Sequence, residues 1–178
     1  MNFPFLQTLH LKTVVYLSLD TPPQIFQEFL KEQGIEFRQL PGEGTNVGQR
    51  ISEQLILDAL HVLLNPDCYP LVVMCNLGRH RTGTVIGCLR RLQKWSLSSI
   101  FEEFRRFTGS KSSTLHEQFI ELFDTELVEL PADASRLPFK ISCVSNNSET
   151  KNEAKKEEIP RARNLSMISK SSNSLLKK

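Results

Sequence analysis

Tyr69-Pro70-Leu71-Val72-Val73-Met74 runs directly into Cys75-Asn76-Leu77-Gly78-Arg79-His80-Arg81-Thr82-Gly83, and this passage decides the fold. Its first half is a continuous apolar run, as expected of a central strand covered on both faces. Its second half is a short loop holding one glycine, followed by helical spacing over about 82–94. A buried strand that hands over to a helix through such a loop is a joint of a parallel α/β sheet.

The flanking elements agree. Upstream, Phe3-Pro4-Phe5-Leu6-Gln7-Thr8-Leu9 reads as a short helix, and the β-branched run Thr13-Val14-Val15-Tyr16-Leu17 as a buried strand. Asp20-Thr21-Pro22-Pro23 opens a helix whose Ile25, Phe26, Phe29 and Leu30 share one face, and Gly34 stops it. Glu36–Leu40 is a second strand, and the glycine-rich stretch 42–48 after it is a loop able to approach a ligand closely. Ser52 caps a helix carrying Leu55, Ile56, Ala59, Leu60 and Leu63, ended by Asn65-Pro66-Asp67. Beyond the central passage come helices over about 96–108, capped by Ser96, and 114–124. The order β-α-β-α-β-loop-α-α-α predicts an α/β fold: a small central parallel sheet flanked by helices.

Composition bounds the function. Hydrophobic residues make up 39% of the 178, and the formal charge is +2. Residues 144–178 hold 8 Lys/Arg, 4 Asp/Glu and no aromatic residue, so residues 1–143 carry a net −2 and the tail +4. The tail has the composition of disorder, and a nucleic-acid reading would rest on the tail alone. Cys68, Cys75, Cys88 and Cys143 form no CxxC pair and no zinc-type pattern with histidine. No secretory leader is legible, and no apolar stretch approaches the roughly 18–20 residues that cross a bilayer. The expectation is a cytoplasmic protein with reduced thiols, bound to neither nucleic acid nor membrane.

The central loop carries the chemistry. The first N–H groups of a helix lack carbonyl partners and converge on one spot, and the helix dipole adds positive potential there. Gly78 lets the loop curl so that the amides of Asn76, Leu77, Gly78, Arg79, His80 and Arg81 form a nest for phosphate. Arg81 closes the loop with a planar fork for two phosphate oxygens. The same field lowers the pKa of a thiol, so Cys75 is the candidate nucleophile for in-line attack at phosphorus, giving a thiophosphate that water hydrolyses. Thr82 can donate its hydroxyl to the sulfur and help it leave in the second step. No metal or cofactor is needed.

Cys75-x5-Arg81-Thr82-Gly83 resembles the signature loop of cysteine-based tyrosine and dual-specificity phosphatases. The likeness extends through Thr84-Val85-Ile86-Gly87-Cys88-Leu89-Arg90-Arg91 to Glu103-Phe104-Arg105-Arg106-Phe107-Thr108-Gly109-Ser110, and includes Asn2-Phe3-Pro4-Phe5-Leu6. It is similar to the plant and fungal atypical dual-specificity group, most closely the fungal oxidant-induced cell-cycle-arrest phosphatases. The resemblance covers about residues 2–130 and implies a phosphatase domain over 1–130; an extension over 131–143 and the compositionally distinct tail over 144–178 follow it. It also implies phosphotyrosine-type phosphoesters or inositol pyrophosphates as substrates, a part in stress response and the cell cycle, and complexes with related phosphatase-like subunits. Two departures stand out. Met74 replaces the histidine that usually precedes the cysteine. Met1 stands directly before the Asn-Phe-Pro-Phe element, where the group carries a further strand, so either the sequence is clipped or the sheet lacks that edge strand.

A leaving alkoxide or phenolate needs a proton, usually from an Asp on a mobile loop. The loop after the second strand has no Asp, and Glu43 is its sole carboxylate and the candidate acid. Asp58 reads as a surface residue. Arg79 and His80 add cationic character at the rim, with His80 either bracing the loop or touching substrate. Arg90, Arg91, Arg105 and Arg106 read as a charged outer face and Cys88 as core. The rival class is a non-catalytic phosphate-binding scaffold subunit. A sulfurtransferase or arsenate reductase is disfavoured by the x5 spacing and the Arg-Thr-Gly ending.

Overall fold

Thr13–Tyr16 forms strand β1, and all four of its residues are buried. The structure, a computed structural model, describes residues 2–40, 51–109 and 114–141, which lie within the unit Met1–Cys143. Helix α1 (Phe3–Thr8) precedes β1, and its first turn holds Pro4 while the Asn2 side chain accepts from the Phe5 amide. Helix α2 (Gln24–Glu32) follows, then β2 (Glu36–Gln39), α3 (Glu53–Leu63) and β3 (Leu71–Met74). Helices α4 (His80–Leu92), α5 (Leu97–Thr108) and α6 (Thr114–Leu122) complete the order. Ser52 and Ser96 cap α3 and α5, each accepting from the amide three residues on. The start of α2 is later than the sequence implies, because Pro23 stays extended as the N-cap ahead of Gln24.

The sheet is parallel with order β2-β1-β3. Thr13 pairs with both Glu36 and Leu71, and Tyr16 with Gln39 and Met74. The expectation of β3 as the central strand is therefore corrected: among the described residues β1 is central, and Leu71–Met74 is half-buried at the edge. An apolar run reports burial of side chains and not hydrogen-bonding neighbours on both sides. The second crossover carries the chain back past β1, and that decides the order.

Alternation along the strands separates two cores. Val15 and Leu17 face a large cluster built from α3, α4, α5 and α6, including Ile56, Leu60, Val85, Cys88, Ile100, Phe104 and Ile120. Val14 faces a smaller cluster with Phe26, Phe29 and Leu30 of α2, to which Leu6, Val72 and Met74 are added. Leu137 is buried in the larger cluster, so residues beyond 130 still pack on the core. Two glycines of α4 set its neighbours: a Cβ at Gly83 would stand 2.9 Å from the Phe104 ring, and one at Gly87 2.6 Å from Ile120. No helix among the described residues is long and apolar enough to cross a membrane.

Candidate active site

Cys75 follows β3 directly, and the chain turns through Asn76–Arg79 into α4. The turn closes with the Gly78 amide donating to the Cys75 carbonyl at 3.2 Å. Gly78 has φ +63°, a left-handed conformation that side chains rarely adopt, although a Cβ there would meet open space. Glycine is thus required by backbone conformation rather than by room. Arg79 is the N-cap of α4 and makes no side-chain capping bond, so the amides of the first turn remain aimed at the loop.

Cys75 is 9% exposed. Burial pushes its thiol up, but hydrogen bonds to the sulfur outweigh it, from Thr82 through hydroxyl and amide and from the amides of Leu77 and Arg79. The net result is a thiol held below its ordinary value, which favours thiolate near neutral pH. The Thr82 hydroxyl is buried, and the sulfur is the group it stabilises.

The loop is fastened at both ends to the end of β1 and the residues just after it. Tyr16 Oη donates to Asn76 Oδ1 at 2.7 Å, and Asn76 Nδ2 donates to the Asp20 carboxylate. Ser18 Oγ donates to the same carboxylate at 3.3 Å, and Gln39 donates to the carbonyls of Ser18 and Asp20. Arg81 Nη1 donates to the Leu17 carbonyl at 3.1 Å. Tyr16, Leu17, Ser18 and Asp20 were not singled out from sequence. Their only signal is position, at the C-terminal end of the strand beside β3, where parallel sheets present ligand sites.

The sequence-assigned side chains divide by position. Cys75, Asn76, Arg81 and Thr82 converge on the loop. Leu77 is 71% exposed at the rim, so what it brings to the loop is its amide. His80 turns inward, its ring stacked on His116 of α6 at 5.0 Å between centroids. Glu43 and Cys143 lie outside the described residues. Arg90 makes a two-point pair with Glu103, at 2.9 and 3.0 Å, and lies over Trp95. Arg105 pairs with Glu117 and Arg106 with Glu102. Cys88 is fully buried and burial pushes its thiol strongly up. Asp58 is exposed and accepts from Gln54. Met74 faces an apolar cavity of about 200 Å³ with Leu6, Leu11, Phe26 and Val72, on the sheet face opposite Leu71 and Val73.

A buried, activated thiol under a ring of amides, closed by a guanidinium, can bind a tetrahedral anion and attack its centre. Residues 1–141 match the Tyrosine phosphatase family. A probable tyrosine-protein phosphatase, DG1060, of Dictyostelium discoideum is 59% identical over 130 residues, covering 72% of this chain and 78% of that protein. The inositol diphosphatase DSP4 of Arabidopsis thaliana is 36% identical over 151 residues, covering 84% and 73%. Among solved structures, the core catalytic domain of the PP-IP phosphatase SIW14 from S. cerevisiae, in complex with citrate, superposes with a TM-score of 0.65 at 44% identity, covering 69% of this chain and 74% of that one.

Proposed function

The chain belongs to the tyrosine phosphatase family, and on that premise we propose that Cys75 is the nucleophile of a phosphoryl-transfer hydrolysis carried out on the 75–81 loop. The observation that carries the assignment is the sulfur's position under the amides of Leu77, Arg79 and Thr82. The thiolate attacks phosphorus in line, the S–P bond forms and the P–O bond to the leaving group breaks. Water then attacks the thiophosphate, releasing inorganic phosphate and returning the thiolate. Charge gathered on the equatorial oxygens is met by the amides and by Arg81. The Thr82 hydroxyl eases departure of the sulfur in the second step. Glu43 is the proposed acid for the leaving oxygen.

The substrate classes are phosphotyrosine-type phosphoesters and inositol pyrophosphates. Likeness to an inositol diphosphatase and to a PP-IP phosphatase supports the second class. A diphosphate is also the better leaving group and relies least on an acid. The proposed setting is the cytoplasm, in stress response and cell-cycle control, with related phosphatase-like subunits as partners.

The test is turnover of a chromogenic phosphoester, a phosphotyrosine peptide and an inositol pyrophosphate by purified protein. Activity lost in Cys75→Ser supports the enzyme. No turnover with retained phosphate binding would replace it with the scaffold reading. Glu43→Gln should slow phenyl-type esters more than pyrophosphates, and equal slowing removes Glu43 as the acid.

A further inference from the structure

Helices α4 and α6 meet where α4 is narrow. His80, Gly83 and Gly87 stand at i, i+3 and i+7 and so share one face of α4, while His116 and Ile120 stand at i and i+4 on α6. Ile120 seats on Gly87, where a Cβ would be only 2.6 Å from its Cδ1. That seating brings His116 against His80, with ring centroids 5.0 Å apart and planes 26° apart. On α5, Phe104 lies 6.3 Å from His116, also at 26°, and the same phenyl abuts Gly83. Three rings from three helices are thus gathered on the first turn of α4.

His116 is 8% exposed, and its buried Nδ1 has no hydrogen-bond partner among the described residues. It lines a cavity of about 490 Å³ with Ile51, Glu53 and Phe119.

We propose that His116 is a positioning residue of the phosphate loop: its ring, held between His80 and Phe104, fixes the first turn of α4 and with it Arg81 and the Thr82 amide. The inference rests on reading that loop as the phosphate cradle. His80 immediately precedes Arg81, so any rotation of the first turn carries the guanidinium and the amide facing Cys75 with it. Arg81 already leans on the Leu17 carbonyl from one side, and the ring stack supplies the support behind. The groups facing His116 are His80 and Arg81 on α4 and, across the cavity, Glu53 at the start of α3; Glu117, next to it on α6, is engaged by Arg105 of α5. Burial first, then His80 and Arg81, bring the imidazole down to about 4, so at neutral pH the ring packs without adding a cation beside Arg81.

The experiment compares full-length wild type with His116→Ala and His116→Phe. It reads the pH profile of Cys75 alkylation by iodoacetamide, the protection given by vanadate, and kcat/KM on a chromogenic phosphoester. For His116→Ala the alkylation midpoint rises by about one pH unit and vanadate affinity falls about tenfold, as the amides and Arg81 lose register. His116→Phe keeps the ring and restores most of both. A folded His116→Ala with unchanged midpoint and vanadate affinity overturns the proposal, as does a His116→Phe as impaired as alanine. If alanine prevents folding, Phe is compared with His116→Leu, and the same two readouts decide. Wild type without turnover would defeat the phosphatase reading alone, because alkylation and vanadate protection read the loop without turnover.

Discussion

Arg81 Nη1 donates to the main-chain carbonyl of Leu17 at 3.1 Å, tying the far end of the loop to the end of β1. The near end is tied to the same strand by Tyr16 through Asn76. A loop that must present several amides to one anion is therefore held by β1, the most buried strand of the sheet. Catalysis of this kind depends on donors already in place before charge develops.

Arg81→Lys should lower kcat/KM on a chromogenic phosphoester by about a hundredfold or more. Lysine supplies one point charge and cannot hold the Leu17 carbonyl while offering a planar fork to phosphate. Circular dichroism should show an intact fold, and near-normal kinetics would remove the assigned role.

Tyr16→Phe keeps the ring beside Phe37 and deletes only the hydroxyl that donates to Asn76. Loss of one neutral hydrogen bond, about 1 kcal/mol, predicts roughly a fivefold fall in kcat/KM. Asp20→Ala acts on the same amide from its other side. The double variant should then be less impaired than the product of the two single effects, since both work through Asn76.

Thr82→Val should raise the pH midpoint of Cys75 alkylation, because the hydroxyl and the amides favour the charged sulfur against its burial. The shift should be modest, the amides remaining in place. A burst of leaving group followed by slower steady turnover would locate the hydroxyl's contribution in the second step. A midpoint equal to wild type would say the amides act alone.

His116 titrates near 4 in the folded chain against an ordinary 6.5. Between these values the unfolded chain takes up a proton that the folded chain does not. Stability is therefore level above about pH 6.5 and falls as pH drops towards 4, by on the order of 3 kcal/mol for this group alone. Urea unfolding at pH 7.5 and 4.5 measures it. His116→Phe should lose that part of the pH dependence, and an identical slope in both proteins would exclude His116 as its source.

Gly87→Ala places a methyl 2.6 Å from Ile120 Cδ1 and 2.9 Å from Cγ1, and Ile120 is fully buried. The helices must part, at a cost of about 1–3 kcal/mol. Thermal unfolding should show a lower midpoint, and vanadate affinity should drop as His116 moves off His80. An unchanged midpoint would mean that α6 can repack freely.

The element order, the parallel sheet and the tight loop between β3 and α4 were legible because each rests on local rules. Apolar runs, serine caps and the strand–loop–helix joint at Cys75 need no distant partner to be recognised, and Gly78 was marked by its place in a tight loop. Arg106 was equally readable as outer face, since helical spacing puts it beside Glu102; Arg90 was not, being half-buried and paired with Glu103 across two helices. Strand order was not legible. Val72 and Val73 look the same in a central and an edge strand, and only the path of the second crossover put β1 between β2 and β3. Nor could spacing show that Tyr16, Leu17 and Asp20, 55 or more residues upstream of their partners, hold the loop, or that His116 lies on His80. By itself the sequence determined which groups are present, because a thiol, the amides of a tight loop and a guanidinium are set by nine contiguous residues. The tertiary structure decided what holds that chemistry still, because close approach of β1, α5 and α6 depends on the shape of two glycine faces and a shared core, which no linear pattern encodes.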